Sequence, residues 1–388
     1  VSWPMVKLGD ILSIIRGVTF KPNDQVEPLS EGSTIVMRTK NVQRSGLDIS
    51  DLIAIPDSFI KRDEQYLRSE DMLISSANSW ELVGKISFID KLPAKSTAGG
   101  FISIIRAKKE KVIPKYLYYW LTLEHTQVKI RNCGQKTTNI SNLNLERFKE
   151  LFIPLPSLND QRRIVAILDK AANIRQKREQ AIKLSDDFLR ATFLEMFGDP
   201  VKNPKGWQRM KFSEVGTLDR GKSKHRPRNA PELLGGIHPL IQTGDVANSG
   251  GYITEYFSTY SDIGLAQSKM WKKGTLCITI AANIAKTGIL TFDACFPDSV
   301  VGFQPNQHVE VEFIQHWLGF LQKQLEETAP EVAQKNINLA ILRDLDVIIP
   351  DKALQMKFKG VVKKVRELKE KYHNFPNIQP VLSSFHLS

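Results

Sequence analysis

The sequence predicts an α+β fold: two similar α+β domains separated by two long helices, which pack together as an antiparallel, coiled-coil-like spacer with pseudo-twofold symmetry. Three observations lead there. Laid over itself, the 388-residue chain repeats with a period near 200 residues. Each repeat strings short apolar runs between Gly- and Asn-rich turns, without the regular strand–helix alternation of a doubly wound sheet. Each repeat also closes alike, passing through Ile-Pro into a long basic helix: FIPLPSLNDQRRIVAILDKAANIRQKREQAI from Phe152 to Ile182, and VIIPDKALQMKFKGVVKKVRELKEK from Val347 to Lys371.

The repeat covers more than the helices. Trp3 falls on Trp207, Arg16-Gly17 on Arg220-Gly221, Thr39 on Thr243, Val42 on Val246, Ser45-Gly46 on Ser249-Gly250 and Gly84 on Gly288, all at an offset of 204. The register then drifts: Asn139-Ile140 meets Asn336-Ile337 at 197, and Ile153-Pro154 meets Ile349-Pro350 at 196. Insertions and deletions in surface loops produce such drift. The period is too long for a solenoid and marks duplication of a whole domain with its helix.

The elements of each unit follow in the same order. A Trp-containing opening and a short helix, KLGDILSII or KFSEVGTLD, lead to a basic loop, RGVTFKPN or RGKSKHRPRN. Short β-type runs follow, TIVMRTKNVQRSG, DMLISSANSWELVGKISFI and GGFISIIRA in the first copy, PLIQTGDVANSG, GTLCITIAANIAKTGILTF and VVGFQP in the second. Their Gly and Asn/Asp punctuation marks turns. An aromatic helix comes next, PKYLYYWLTLEHTQVKI or VEFIQHWLGFLQKQLEE, then an Asn-Ile segment and an apolar strand.

After Pro156 the apolar residues Ile167, Ile174, Ala181 and Phe188 return every seven positions, with Ile164, Leu168, Ala171, Ile182, Leu189 and Met196 beside them. This is a coiled-coil-like stripe, which Gly198 and Asp199-Pro200 stop. About 40 helical residues span roughly 60 Å, more than one domain needs for its own packing. Phe358, Val361, Val365, Leu368 and Tyr372 repeat the stripe in the second copy, where Pro376 and Pro380 interrupt the helix.

Composition bounds the function. With 41% hydrophobic and 25% charged residues the chain can bury real cores. No apolar run approaches 18 residues and no leader opens the sequence, so a cytoplasmic protein without a membrane span is expected. Cys133, Cys277 and Cys295 stand apart, without metal-ligand or disulfide spacing. The formal net charge of +12 favours a polyanionic partner.

Catalytic motifs are missing. GTLDRGKS, from Gly216 to Ser223, fits a phosphate-binding loop, but Pro227 and Pro231 prevent the helix that motif needs. Asp351 and Glu367-Leu368-Lys369 mimic a nuclease metal motif, yet lie about 24 Å apart along one helix. There is no GxSxG, HExxH, adenine-methyltransferase or Gly-rich cofactor motif. A non-catalytic reader is expected, with no metal and no cofactor of its own.

Cations gather where reading would occur. Arg16 and Lys21 in the first unit, and Arg220, Lys222, Lys224, His225, Arg226 and Arg228 in the second, share the loop after the opening helix. Such residues suit phosphates and guanine edges, or form a solvated loop. The turns Arg38-Thr39-Lys40-Asn41 and Gln242-Thr243-Gly244-Asp245 differ inside a common frame, as discriminating groups would. Thr39 and Thr243 equally fit a purely turn-forming role. Lys85 and Lys286 flank the Gly84 and Gly288 turns, placed for phosphate. Lys136, Asn139, Lys335 and Asn336 suit either DNA contact or capping of the next helix.

The Pro-Leu-Pro-x-Leu-x-x-Gln run from Pro154 to Gln161, the helix ending FLRATFLEMFGDP, and the doubled units opening on tryptophan resemble type I restriction-modification specificity subunits along essentially the whole chain. The resemblance implies target-recognition domains at 1–156 and 201–352, each reading half of a split site in double-stranded DNA. It implies conserved helical spacers at 157–200 and 353–388, which set the gap and dock two methyltransferase subunits. Those partners would carry S-adenosylmethionine and flip and methylate an adenine in each half. Translocase-nuclease subunits using ATP and Mg would join them. The interrupted C-terminal helix departs from the family pattern, leaving a truncated spacer or pairing with a second copy open. A stand-alone duplicated DNA-binding scaffold is the alternative.

Overall fold

The computed structural model describes residues 3–44, 46–136, 140–225, 227–281, 285–328 and 339–373, without the side chains of 323–328 and 372–373. The chain forms two compact units that meet at Gln176 and Lys177, within one continuous helix, Leu158–Phe197.

In the first unit a four-stranded antiparallel sheet runs in the order Leu12–Arg16, Ile102–Ala107, Met72–Ser75, Ile86–Phe88, with Ile104 opposite both Ile15 and Leu73. Its central strands read as nearly unbroken apolar runs because both faces are covered. Leu73, Ile102 and Ile104 face a second sheet with Ile35 and Met37; Met72, Ile74 and Ile105 face the helical side with Leu117, Trp120 and Phe148. The second sheet orders Ser96–Ala98, Ser33–Met37, Ile53–Pro56, its first pair parallel. Met5–Lys7 pairs with Phe152–Pro154, so the strand that opens the unit is bonded to the one that closes it.

The second unit repeats this plan. Its main sheet runs Gly216–Arg220, Val300–Pro305, Leu276–Thr279, Thr287–Leu290, Tyr252–Ile253, and its smaller sheet Ser258–Tyr260, Leu234–Leu240, Ala294–Cys295, Met270–Trp271. Gln208–Lys211 pairs with Asp346–Ile349. Because Gly216–Arg220 is a strand and Lys222 follows it in a loop, the GxxxxGKS match has no helix to hold a phosphate. The expected opening helices shrink to one turn, Leu8–Ile11, in the first unit and a turn in the second, the remaining apolar residues joining the sheets. The expected aromatic helix of the first unit breaks into Pro114–Thr122 and Glu124–Asn132, with Leu123 in extended conformation between them. Its counterpart, Val311–Thr328, is continuous.

The central helix, Leu158–Phe197, begins where the Ser157 hydroxyl accepts the Asp160 N–H, 3.2 Å away. It ends where Gly198 turns to φ +79°, the Trp207 indole donates to the Phe197 carbonyl at 2.8 Å, and the Lys205 ammonium donates to the Glu195 and Met196 carbonyls. Gln161, fully buried, accepts the Ile113 N–H at 2.8 Å and donates to the Pro156 carbonyl at 2.9 Å. In the second unit Gln355, also fully buried, accepts the Glu310 N–H at 2.9 Å and donates to the Pro350 and His308 carbonyls at 2.9 and 3.0 Å. Pro350 therefore stands in the place of Pro156, an offset of 194, and the sequence match of Pro350 to Pro154 is displaced by two residues.

Within the second unit the central helix meets the closing helix, Lys352–His373. Phe193 and Phe197 lie 5.5 Å from Phe358, while Asp186 pairs with Lys369. Numbers fall on one helix as they rise on the other, so the pair is antiparallel. The apolar stripe is not one seam. Ile164 and Leu168 are buried in the first unit's core, and Leu189, Phe193, Phe197, Phe358 and Val365 in the second's. Ile174 and Val361 are half-buried, whereas Ile167, Phe188 and Leu368 are about half exposed, at 51, 54 and 49%. A straight helix drifts about 20° per heptad, and this one is gripped near each end by a different globular core. Tyr372 lies on the last described turn, its side chain outside the described atoms. Among the described residues no helix is long and apolar enough to cross a membrane.

Candidate nucleic-acid interface

The doubled Arg-Gly marks a crossing of backbones. Gly17 N–H donates to the Ile102 carbonyl at 3.1 Å, and Gly221 N–H to Val300 at 2.9 Å. A Cβ on Gly17 would lie 2.1 Å from the Gly99 carbonyl oxygen, and one on Gly221 2.2 Å from that of Phe296. Only glycine fits such an approach. Val18 N–H donates to Ala98, and Gly99 N–H to Met37, so the basic loop, the turn after Met37 and the Gly99–Phe101 link converge. In the second unit Gly221 against Phe296 and the Ile241 N–H to Cys295 bond at 2.8 Å bring the same three segments together.

Cations crown both convergences. Arg16, Lys21, Arg220, Lys222 and Lys224 are exposed, and no ion pair among the described residues uses them. Others are engaged: Arg228 pairs with Asp298 at 2.6 Å, and His225 sits 3.8 Å from Glu232 and donates from Nδ1 to the Pro227 carbonyl at 3.2 Å. Exposed pairs of this kind contribute about 0–1 kcal/mol, so a phosphate can displace the carboxylate.

The turns that differ between copies share a mechanism. Asn41, only 1% exposed, accepts the Arg38 N–H at 2.8 Å and donates to the Asp48 and Asp51 carbonyls at 2.8 and 3.0 Å. Asp245 accepts the Gln242 N–H, also at 2.8 Å, and opens the short helix Thr243–Ala247. Asn41 and Asp245 thus shape the turns. Of the remaining side chains in these turns, Lys40 and Gln242 are exposed, and Arg38, Thr39 and Thr243 are half-buried. Arg38 and Lys40 both pair with Asp51, and partial burial lowers the Arg38 pKa.

Lys85 is 7% exposed and donates to the Gln43 amide oxygen at 3.2 Å; burial, and next the Arg44 charge, lower its pKa. It ties down the short strand Val42–Gln43. Lys286 is exposed. Both lysines occupy one structural position, since Ser75 N–H donates to Lys85 O and Thr279 N–H to Lys286 O, each at 2.9 Å. The glycine match nearby is different. Gly84, at φ +80°, corresponds to Ala285, at φ +56°, whereas Gly288 lies in a strand opposite Cys277. Lys136 sits 5.9 Å from the Trp80 ring. Asn139, Arg226, Lys335 and Asn336 lie outside the described residues.

Two kinds of residue escaped the sequence reading. Asp51 and Asp298, the counter-ions of Arg38, Lys40 and Arg228, carry no pattern. Phe101, 61% exposed beside the converging loops, was signalled only by the Gly99-Gly100 pair before it. The three cysteines are buried and free, burial raising the pKa of each, and no metal-holding cluster of His, Cys, Asp or Glu occurs among the described residues.

Two copies of one α+β frame, each crowned by unpaired cations, define a duplicated nucleic-acid reader. The chain belongs to the family described as type I restriction modification DNA specificity domain, which it matches over residues 1–184 and 204–367. It is the DNA-specificity subunit of a type I restriction-modification system, the non-catalytic component whose system keeps its cofactors in other subunits. Among similar proteins, a chain named as the MjaX specificity subunit of Methanocaldococcus jannaschii is 23% identical over 93% of this chain and 87% of its own length. The StySPI specificity subunit of Salmonella potsdam is 29% identical over 43% of this chain and 36% of its own length. In fold, the chain is similar to the crystal structure of the S subunit from M. genitalium, with a TM-score of 0.62, 14% identity and coverage of 96% and 91% of the two chains.

Proposed function

We infer that each unit reads one half of a split site in double-stranded DNA, the target-recognition domains comprising residues 1–156 and 201–352. The helical segments 157–200 and 353–388 set the gap between the halves and dock two methyltransferase subunits, with translocase-nuclease subunits joining the complex. The observation that carries this reading is a common frame bearing unlike groups: Arg38 against Gln242, Lys40 against Gly244, Asn41 against Asp245. One frame with two sets of side chains suits two different half-sites. Arg16, Lys21, Arg220, Lys222 and Lys224, with Lys286, supply phosphate contacts; Lys136 is a further candidate, as are Asn139, Arg226, Lys335 and Asn336 on their chemistry in the sequence alone.

The helices support the docking role. Leu184 and Phe188 project from the central helix 67% and 54% exposed, an apolar pair beside the exposed Lys183, Asp186, Asp187 and Arg190. S-adenosylmethionine belongs to the methyltransferase partners, and ATP and Mg to the translocase-nuclease. The test is methylome sequencing of a host expressing the chain with its methyltransferase. A bipartite methylated-adenine motif that vanishes when this chain is deleted is expected. Methylation unaffected by the deletion refutes the reading.

A further inference from the structure

Phe101 is an exposed aromatic residue of the first unit on a backbone held by hydrogen bonds. Its carbonyl accepts the N–H groups of Ser76 and Ala77, at 2.9 and 3.3 Å, and Gly99 before it is held by the Met37 carbonyl and a bridge to Val18. A Cβ on Gly100 would lie 3.1 Å from the Thr19 hydroxyl, so the turn is seated against the basic loop. The backbone is clamped on both sides while the ring is 61% exposed. Two residues on, Ser103 is the register partner of Arg16, an exposed guanidinium on the adjoining strand with no ion pair among the described residues.

An apolar ring in water gains nothing from this mounting. Beside free cations at the edge of a DNA-reading surface, the same mounting suits a base step. Aromatic rings stack on bases of any identity, and wedges of this type open a step and bend the duplex. Pre-ordering the backbone removes the entropic cost of presenting the ring. We propose that Phe101 is a stacking wedge that enters the DNA of the half-site read by the first unit, adding affinity and deformation without choosing a base. This rests on the two-half reading above. At the equivalent position of the second unit there is no ring: Ile280 N–H donates to the carbonyl of Ser299, which takes the place of Phe101. The wedge therefore acts on one half-site only.

The experiment uses the full chain assembled with its methyltransferase subunits and duplexes carrying the methylome-derived site, with 2-aminopurine placed in turn along each half. Phe101→Ala is expected to weaken binding roughly 5- to 100-fold. It should abolish the fluorescence rise at one step of the first half and leave the second half unchanged. Phe101→Trp should retain both signals, and thermal unfolding should be unaltered by either change. Wild-type affinity and fluorescence in Phe101→Ala, on a complex that still rejects a scrambled first half, overturn the wedge alone. Indifference of the wild-type complex to scrambling either half overturns the two-half reading and the wedge with it.

Discussion

Replacing Gln355 by leucine removes three buried hydrogen bonds at the start of the closing helix while changing the side-chain volume little. The amide is fully buried, its oxygen 2.9 Å from the Glu310 nitrogen and its nitrogen 2.9 and 3.0 Å from the Pro350 and His308 carbonyls. Each such bond contributes about 1 kcal/mol net, and stranding a buried partner costs about 1–3 kcal/mol, so the substitution should cost roughly 3 kcal/mol. For a unit of this size the melting temperature falls about 2–4 °C per kcal/mol, giving roughly 6–12 °C. Calorimetry and urea unfolding of the full chain measure it. Gln161→Leu, with its bonds to Ile113 and Pro156, should behave alike in the first unit. Losses below about 1 kcal/mol at both sites would refute the claim that these amides hold the helices to their units.

Gly17→Ala should lower stability by about 2 kcal/mol or more, since the new Cβ meets the Gly99 carbonyl at 2.1 Å, whereas Gly244→Ala, with nothing within 4 Å, should be nearly neutral by thermal unfolding. Changing Arg220, Lys222 and Lys224 together to alanine should reduce the slope of log affinity against log salt by about 2.7, measured by anisotropy titration in stepped KCl. An unchanged slope would remove them from the phosphate contacts. His316 is buried beside Phe358, and burial above all holds its pKa below 6.5. The unfolded chain therefore takes up the proton first, and the second unit should lose stability as pH falls below about 6.5, with no effect above pH 7. His316→Gln should flatten that acid limb of a melting-temperature profile; an identical slope in the variant would contradict it.

Much of the architecture was legible because duplication lets two divergent copies check each other. Arg16-Gly17 and Arg220-Gly221 agreed across a gap of 204, and the structure supplies the cause, a carbonyl that any Cβ would strike. Identity of letters misled where backbone geometry is shared by different residues. Gly84 aligns with Gly288 by letter, yet the left-handed position passes to Ala285. The heptad through Ile167 and Phe188 overstated the seam, because periodicity reports an apolar face and not which core covers it. At the site, charge found the loops. It could not separate Lys85, buried against Gln43, from its exposed counterpart Lys286, nor show that Asn41 and Asp245 shape turns.

If the two units read two half-sites independently, one can be exchanged without altering what the other reads. Exchanging residues 201–350 for those of a homologous subunit, then sequencing the methylome of a host carrying the chimera and its methyltransferase, tests it most directly. The methylated motif should change in one half and keep the other half and the gap. A motif changed in both halves, or in neither, would contradict the account.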